Sequence, residues 1–426
     1  MKPAFFVVLF AATLAAGADE LDETASRAGD PDLGGGVRSV AGEVGTLRGI
    51  SLSVPPAAVR APSEFRRVSA DARVARVIGS ERLDARGQAW EDIGLGSSAS
   101  PAWLYRTLAA DLAGIAFDPV ETRILVDPER LTEADFAVRE DEGEDAPLSL
   151  LMATGLRPDE PLIAHVLVHV LQSEREVDAL PDTTDALLAH AAWMEGEANL
   201  VAGRFLFQAM GVDVEILETG LDISKVLDGA LVSPALGTTG GVERELLSWV
   251  YLDGFDQASD RFRVGGWAAV GEAISRRRAT RDVMHPDREV LEIAEIATPE
   301  SGLPPEYELA DRDVVGEQAI AALISHRSGK VNLGLISADG WAGDALFRWQ
   351  RPGGGEGVTL WITRWVSEAE AADFEYGYGR ALERWTGVAA TAVGDPPTDH
   401  RFVNAGRAIS LAREGQEVRV RVWYVE

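Results

Sequence analysis

The sequence predicts an α+β protein in two parts, a mostly helical region followed by a smaller region that mixes strands and helices. Three observations carry this reading. Two segments, from Asp159 to about Glu174 and from Pro181 to about Met210, show helical apolar patterning behind cap and turn residues. A stretch rich in proline and glycine, residues 299–306, interrupts the pattern. Beyond it, Ala345 to Gln350, Val358 to Trp365 and Val418 to Val425 read as strands around an amphipathic helix from Glu368 to Trp385. A chain of 426 residues has the length of about two domains. Residues 61–298 and 307–426 are the predicted units.

The chain opens like an exported protein. Lys2 precedes an apolar run from Ala4 to Ala16 broken only by Thr13, and Ala16-Gly17-Ala18 fits a cleavage site, so residues 1–18 read as a signal peptide. The expected location is periplasmic or extracellular. Residues 19–60, with Gly34-Gly35-Gly36 inside, are expected to be a flexible leader. There is no cysteine, which excludes a lipoprotein anchor, disulfides, thiol catalysis and thiolate zinc sites together. The formal net charge of −29 argues against nucleic acid and anionic membrane surfaces as partners. After the signal peptide no apolar run is long enough for a membrane anchor.

The elements follow in order. Glu64 to Arg76 and Leu104 to Leu112 have helical spacing; Gly114 to Pro119 reads as a turn and Thr122 to Val126 as a strand. Residues 129–147 are an acidic connector. Asp159-Glu160-Pro161 caps the first strong helix, and Asp182 to Asp185 caps the second. Val242 to Leu252, Gly254 to Arg261, Trp267 to Arg276 and Val314 to Ser325 complete the predicted helices.

The chemistry gathers on the two strong helices. His165 and His169 are four residues apart, one turn along one helix face, so both imidazoles can reach one metal ion. Glu195 on the second helix supplies a third ligand if the helices pack side by side. Gly196 beside it costs about 1 kcal/mol in a helix interior relative to alanine, which predicts close approach of another backbone. The plainer reading is two histidines packed among Val, Leu and Ile with no metal.

These residues resemble the gluzincin type of zinc metallopeptidase. His165 to His169 looks like a degenerate His-Glu-x-x-His motif, and Trp193 to Ala198 like Trp-x-x-Glu-Gly-x-Ala. The resemblance extends, in order, to a widespread group of exported proteins through Gly114 to Pro119, His165 to Gln172, Met194 to Ala198, Val250 to Gly254, Gly265 to Trp267, Met284 to Pro286 and Gly340 to Asp344. It implies zinc held by His165, His169 and Glu195, with Asn199 orienting a ligand histidine. Tyr251 and His285 are candidate auxiliary groups near the metal, each set against a plainer and favoured reading as a packing residue. One departure decides the expected function. Val166 occupies the position of the glutamate that moves protons in such enzymes, and valine accepts none. Glu197 does not replace it, since two residues rotate it by roughly 200° around the helix from Glu195.

The expected function is therefore that of a pseudopeptidase, which keeps a zinc site and binds a peptide or protein ligand with little or no hydrolysis. The alternatives are a weakly active or unconventional zinc-dependent hydrolase and a metal-free structural or interaction protein. His190, five residues before Glu195, is not expected to be a ligand. No Gly-x-Ser-x-Gly elbow or phosphate-binding loop is present, and Gly340-Trp341-Ala342-Gly343-Asp344 reads as a structural turn around a buried aromatic.

Overall fold

A computed structural model describes residues 31–50, 52, 57–61, 63–110, 115–118, 122–126, 160–175, 180–209, 211, 240–276, 279–300, 302–353, 357–394, 397–404 and 406–424. The expected signal peptide, the first part of the leader (residues 19–30), the acidic connector, Gly114 and Pro119 lie outside these residues. The fold is α+β, a helical N-terminal region followed by an antiparallel sheet with helices.

The leader is the first correction. Pro31–Arg48 forms helix α1, and Val37, Val40, Ala41 and Val44 are buried along one stripe of it. Their spacing of three, four and seven residues is that of a single helix face. Burial of that stripe outweighs the low helix propensity of Gly34, Gly35 and Gly36, on which the expectation of a flexible segment rested. Ala57–Arg60 then forms strand β1.

Helices α2 (Ser63–Val77), α3 (Ser80–Ile93) and α4 (Ser100–Ala110) follow. Ile115–Asp118, expected as a turn, is strand β2, and it pairs antiparallel with β3 (Arg123–Val126). β1 joins the other side of β3 in parallel, giving the order β1-β3-β2 with β2 at an edge among the described residues.

Helices α5 (Glu160–Glu174) and α6 (Thr184–Ala209) fall where the sequence places them. Both are buried around almost their whole circumference, as expected for helices at the centre of a helical layer. β2 packs beside α5, and α6 packs on α7 (Val242–Arg276). α7 joins the three expected segments into one helix interrupted at Gly265 and Gly266. Gly266 has φ +62°, ψ −156°, a conformation open to glycine and closed to other residues. The α6–α7 crossing is as close as Gly196 predicts. A Cβ on Gly196 would lie 2.2 Å from Gly254 O, and one on Gly254 would lie 2.2 Å from Ala192 O. The short helix α8 (Thr280–Met284) ends this region.

The C-terminal region begins at β4 (Glu308–Asp313) and continues through α9 (Glu317–Ser328), α10 (Val331–Ala338), β5 (Trp341–Gln350), β6 (Gly357–Trp365), α11 (Glu368–Thr386), β7 (Thr391–Gly394), β8 (Pro397–Asn404), β9 (Arg407–Glu414) and β10 (Glu417–Tyr424). Its seven strands run antiparallel in the order β4-β5-β6-β10-β9-β8-β7. Trp361 meets Phe374 and Tyr378 of α11 edge to face at 5.5 and 5.6 Å, which fixes α11 on the sheet.

The Gly340 to Asp344 motif is structural, as read. The Asp344 carboxylate accepts from Trp341 Nε1 (2.9 Å), Trp361 Nε1 (3.1 Å), Val315 N (2.8 Å) and Gly316 N (2.9 Å), binding two strands to the start of α9. One apolar core runs from Val37 to Val422 and so crosses the 299–306 segment without a break.

Candidate metal centre

Helices α5 and α6 lie side by side and bring three sequence-predicted residues together. His165 Nε2 lies 3.1 Å from His169 Nε2 and 3.2 Å from Glu195 Oε2; His169 Nε2 lies 3.7 Å from the same oxygen. Tetrahedral zinc with bonds of about 2.0–2.1 Å has ligand–ligand edges of about 3.3–3.5 Å. The three donor atoms thus already form nearly one face of such a tetrahedron, and the residues fit the ion. Two imidazoles and one carboxylate also suit zinc chemically. Burial alone would raise the Glu195 carboxyl, but the His169 and His165 imidazoles outweigh it and hold the group below the usual glutamate range.

A second layer of hydrogen bonds supports His169. Its Nδ1 is 2.8 Å from Gln172 Oε1. Gln172 Nε2 donates to Met194 O (3.0 Å) and to Glu197 Oε2 (2.9 Å). Glu197 is wholly buried, points away from the metal face as expected, and accepts from Arg48 Nε (2.6 Å) and Arg175 Nη2 (3.3 Å). Burial works to raise its carboxyl, but the two guanidiniums and Gln172 lower it below the usual range.

A small cavity of about 40 Å³ adjoins the triad, with Ala116 and Phe117 of β2, Arg73, His169, His190 and Glu195 in its lining. Among the described residues Glu195 is the one carboxylate in that lining. Val166 is 1% exposed, packed in the main core and absent from the cavity wall. Among the described residues, then, no second carboxylate stands in the cavity to act as base.

One expectation is not met, and two auxiliary candidates fall to their plainer reading. Asn199 is buried yet makes no hydrogen bond to either histidine, and its Nδ2 has no partner among the described residues. Gln172, one turn along α5 from His169, takes the orienting position instead. Tyr251 lies in the apolar core and does not line the cavity. His285 is elsewhere, hydrogen-bonded to Glu317 at 2.6 Å in a separate groove between α7 and α10. Glu317 and Asp339 stand near His285, but that contact is shorter than a shared-metal edge and Arg288 engages Asp339, so this cluster does not match the first in geometry.

Two residues escaped the sequence reading. Helix rotation turns His190 away from the face of Glu195, yet it reaches the same cavity. Arg48 sits in the segment expected to be loose, and only its position at the end of the Val37–Val44 stripe could have pointed to it.

A family model described as a domain of unknown function (DUF8575) matches residues 306–423. The match begins where the 299–306 segment ends, takes in β4 to β10, and includes none of His165, His169 and Glu195. No curated protein and no solved structure matches the chain. Among the described residues no helix is long and apolar enough to cross a membrane.

Proposed function

We propose that this protein is an exported pseudopeptidase that holds zinc through His165, His169 and Glu195 and uses the adjoining cleft to bind a peptide or protein ligand. The observation that carries the reading is the spacing of the three donor atoms at nearly tetrahedral edges, beside a cavity whose described lining holds no further carboxylate. Zinc, when bound, supplies a Lewis acid that attracts a carbonyl or carboxylate oxygen. The chain's own residues do the rest. Among the described residues strand β2 lies at a sheet edge, along which an extended peptide can add main-chain hydrogen bonds, with Ala116 and Phe117 lining the cleft. Val166 neither takes a proton nor returns one, so bound peptide is not cut at an enzymatic rate.

His190 favours a second reading, a slow hydrolase, because a neutral imidazole in the cleft can accept a proton. Cleavage of a peptide library that is abolished by a chelator and by His190→Ala would support it.

Elemental analysis of the purified protein tests the first reading. About one zinc per chain is expected, lost in His169→Ala. No zinc in either sample would sink the metal centre and leave the histidines as core packing.

A further inference from the structure

Arg48 is the last residue of α1 and is 5% exposed. Its guanidinium lies 4.6 Å from the centre of the Trp267 ring, and Trp267 Nε1 donates to Leu47 O at 2.5 Å. Trp267 directly follows the Gly265–Gly266 break in α7. The end of α1 is therefore clamped between α7 on one side and Glu197 of α6 on the other.

The clamp ends at a ligand histidine. Gln172 has two amide faces, and only one arrangement satisfies its neighbours. Its Nε2 has two acceptors, Met194 O and Glu197 Oε2, so Oε1 must face His169 Nδ1. That nitrogen is then the N–H donor, and the lone pair of His169 sits on Nε2, the atom that faces His165 and Glu195. Were Glu197 to turn away, the Gln172 amide could flip and present its NH2 group to Nδ1. The lone pair would move to Nδ1, and Nε2 would carry a hydrogen toward the site.

We propose that α1 is a strap whose terminal residue Arg48 is a positioning residue for the metal centre, acting through Glu197 and Gln172 to keep His169 in its metal-binding tautomer. This rests on the zinc-site reading above. It adds a control point to that site: whatever displaces α1 lowers zinc affinity. By reciprocity, zinc holds α1 in place.

The test is a double-mutant cycle on the full chain with zinc affinity as readout, measured by competition with a chromophoric chelator. Arg48→Gln is expected to weaken zinc binding about 10–100-fold, the usual effect of losing an outer partner of a metal ligand. Glu197→Gln should weaken it to a similar degree, and the double variant should bind no more weakly than Glu197→Gln alone. Melting of each metal-free variant separates loss of fold from loss of positioning, since a purely structural Arg48 would lower the melting temperature and leave the affinity of the folded protein unchanged. If Arg48→Gln does not fold, Arg48→Lys, which keeps a cation over Trp267, takes its place in the cycle, with a smaller loss expected. Unchanged affinity in a folded Arg48 variant, or losses that multiply in the double variant, would overturn the proposal. An unaltered protein that binds no zinc would overturn the zinc-site reading and this inference with it, whereas zinc binding that is indifferent to Arg48 overturns the inference alone.

Discussion

Asp185 in the first turn of α6 shows how one buried group sets a pH dependence. Its Oδ1 accepts from Thr280 N (2.9 Å) and Thr280 Oγ1 (2.6 Å). Burial pushes its carboxyl up to about 8; the Thr280 bonds lower it, and the nearby Asp344 and Asp282 raise it. The folded state therefore binds a proton that the unfolded chain, with an ordinary carboxyl near 3.9, has already released. Stability from this group is fully present below about pH 4 and declines as pH rises toward 8. Asp344, pushed up to about 6 chiefly by burial, adds to the decline in the lower part of that window. Asp185→Asn retains an oxygen for both Thr280 bonds and removes the titration. The expected result is a melting temperature close to that of the unaltered protein at pH 5 and above it at pH 8.5. A difference that stays constant over that range would refute the assignment.

At the scale of elements, the α6–α7 crossing fixes where Glu195 stands. Gly196 and Gly254 let two backbones meet at a distance that no Cβ survives. Gly196→Ala gains about 1 kcal/mol of helix propensity but drives a methyl group into the Gly254 carbonyl. Overpacking of this kind costs about 1–3 kcal/mol, and here the obstacle is main chain that cannot swing aside, so a net loss is expected. Urea denaturation should show it, together with weaker zinc binding as α6 is pushed off α7. The sequence carried this crossing plainly, because a glycine inside a strongly apolar helix has few other uses. The apolar patterning of α5, α6 and α11 was equally legible. Much of the sheet was not. β7 and β8 lie at its far edge, where polar residues such as Asp399, His400 and Arg401 blur the alternation. α1 was hidden by its glycines, whose low propensity masked a four-residue buried stripe. At the site, the ligand trio could be read from spacing, but the partner of His169 could not. Gln172 and Asn199 both sit one turn from a ligand, and only the packing of α5 on α6 decides which reaches the histidine.

At the scale of the whole molecule, buried charges bind the helical region to the sheet and set how the chain unfolds. Arg86 of α3 reaches Asp311 of β4 through Nε at 2.8 Å and also bonds Tyr105 Oη at 2.8 Å. Arg348 of β5 reaches Asp92 of α3 at 2.5 Å and Gln88 at 2.8 Å, with Thr359 donating to the same Asp92 oxygen at 2.7 Å. Both Arg348 and Asp92 are essentially inaccessible to water. Attraction in such a setting offsets the cost of dehydrating the two charges only while both are present. Arg348→Met strands Asp92 and is expected to cost about 3–5 kcal/mol, toward the lower end because Arg407 Nη2 remains 3.4 Å from that carboxylate. Since the pair and the apolar core span both regions, the loss should destabilise helices and sheet together. Urea unfolding followed by far-ultraviolet circular dichroism and by tryptophan fluorescence should give one coincident transition in the unaltered protein and one, at lower urea, in the variant. Adding Asp92→Leu should recover most of the loss, because an apolar pair of similar volume needs no charge compensation. Two separated transitions in either protein would mean that the regions unfold independently, and that the buried pairs join two bodies already stable apart.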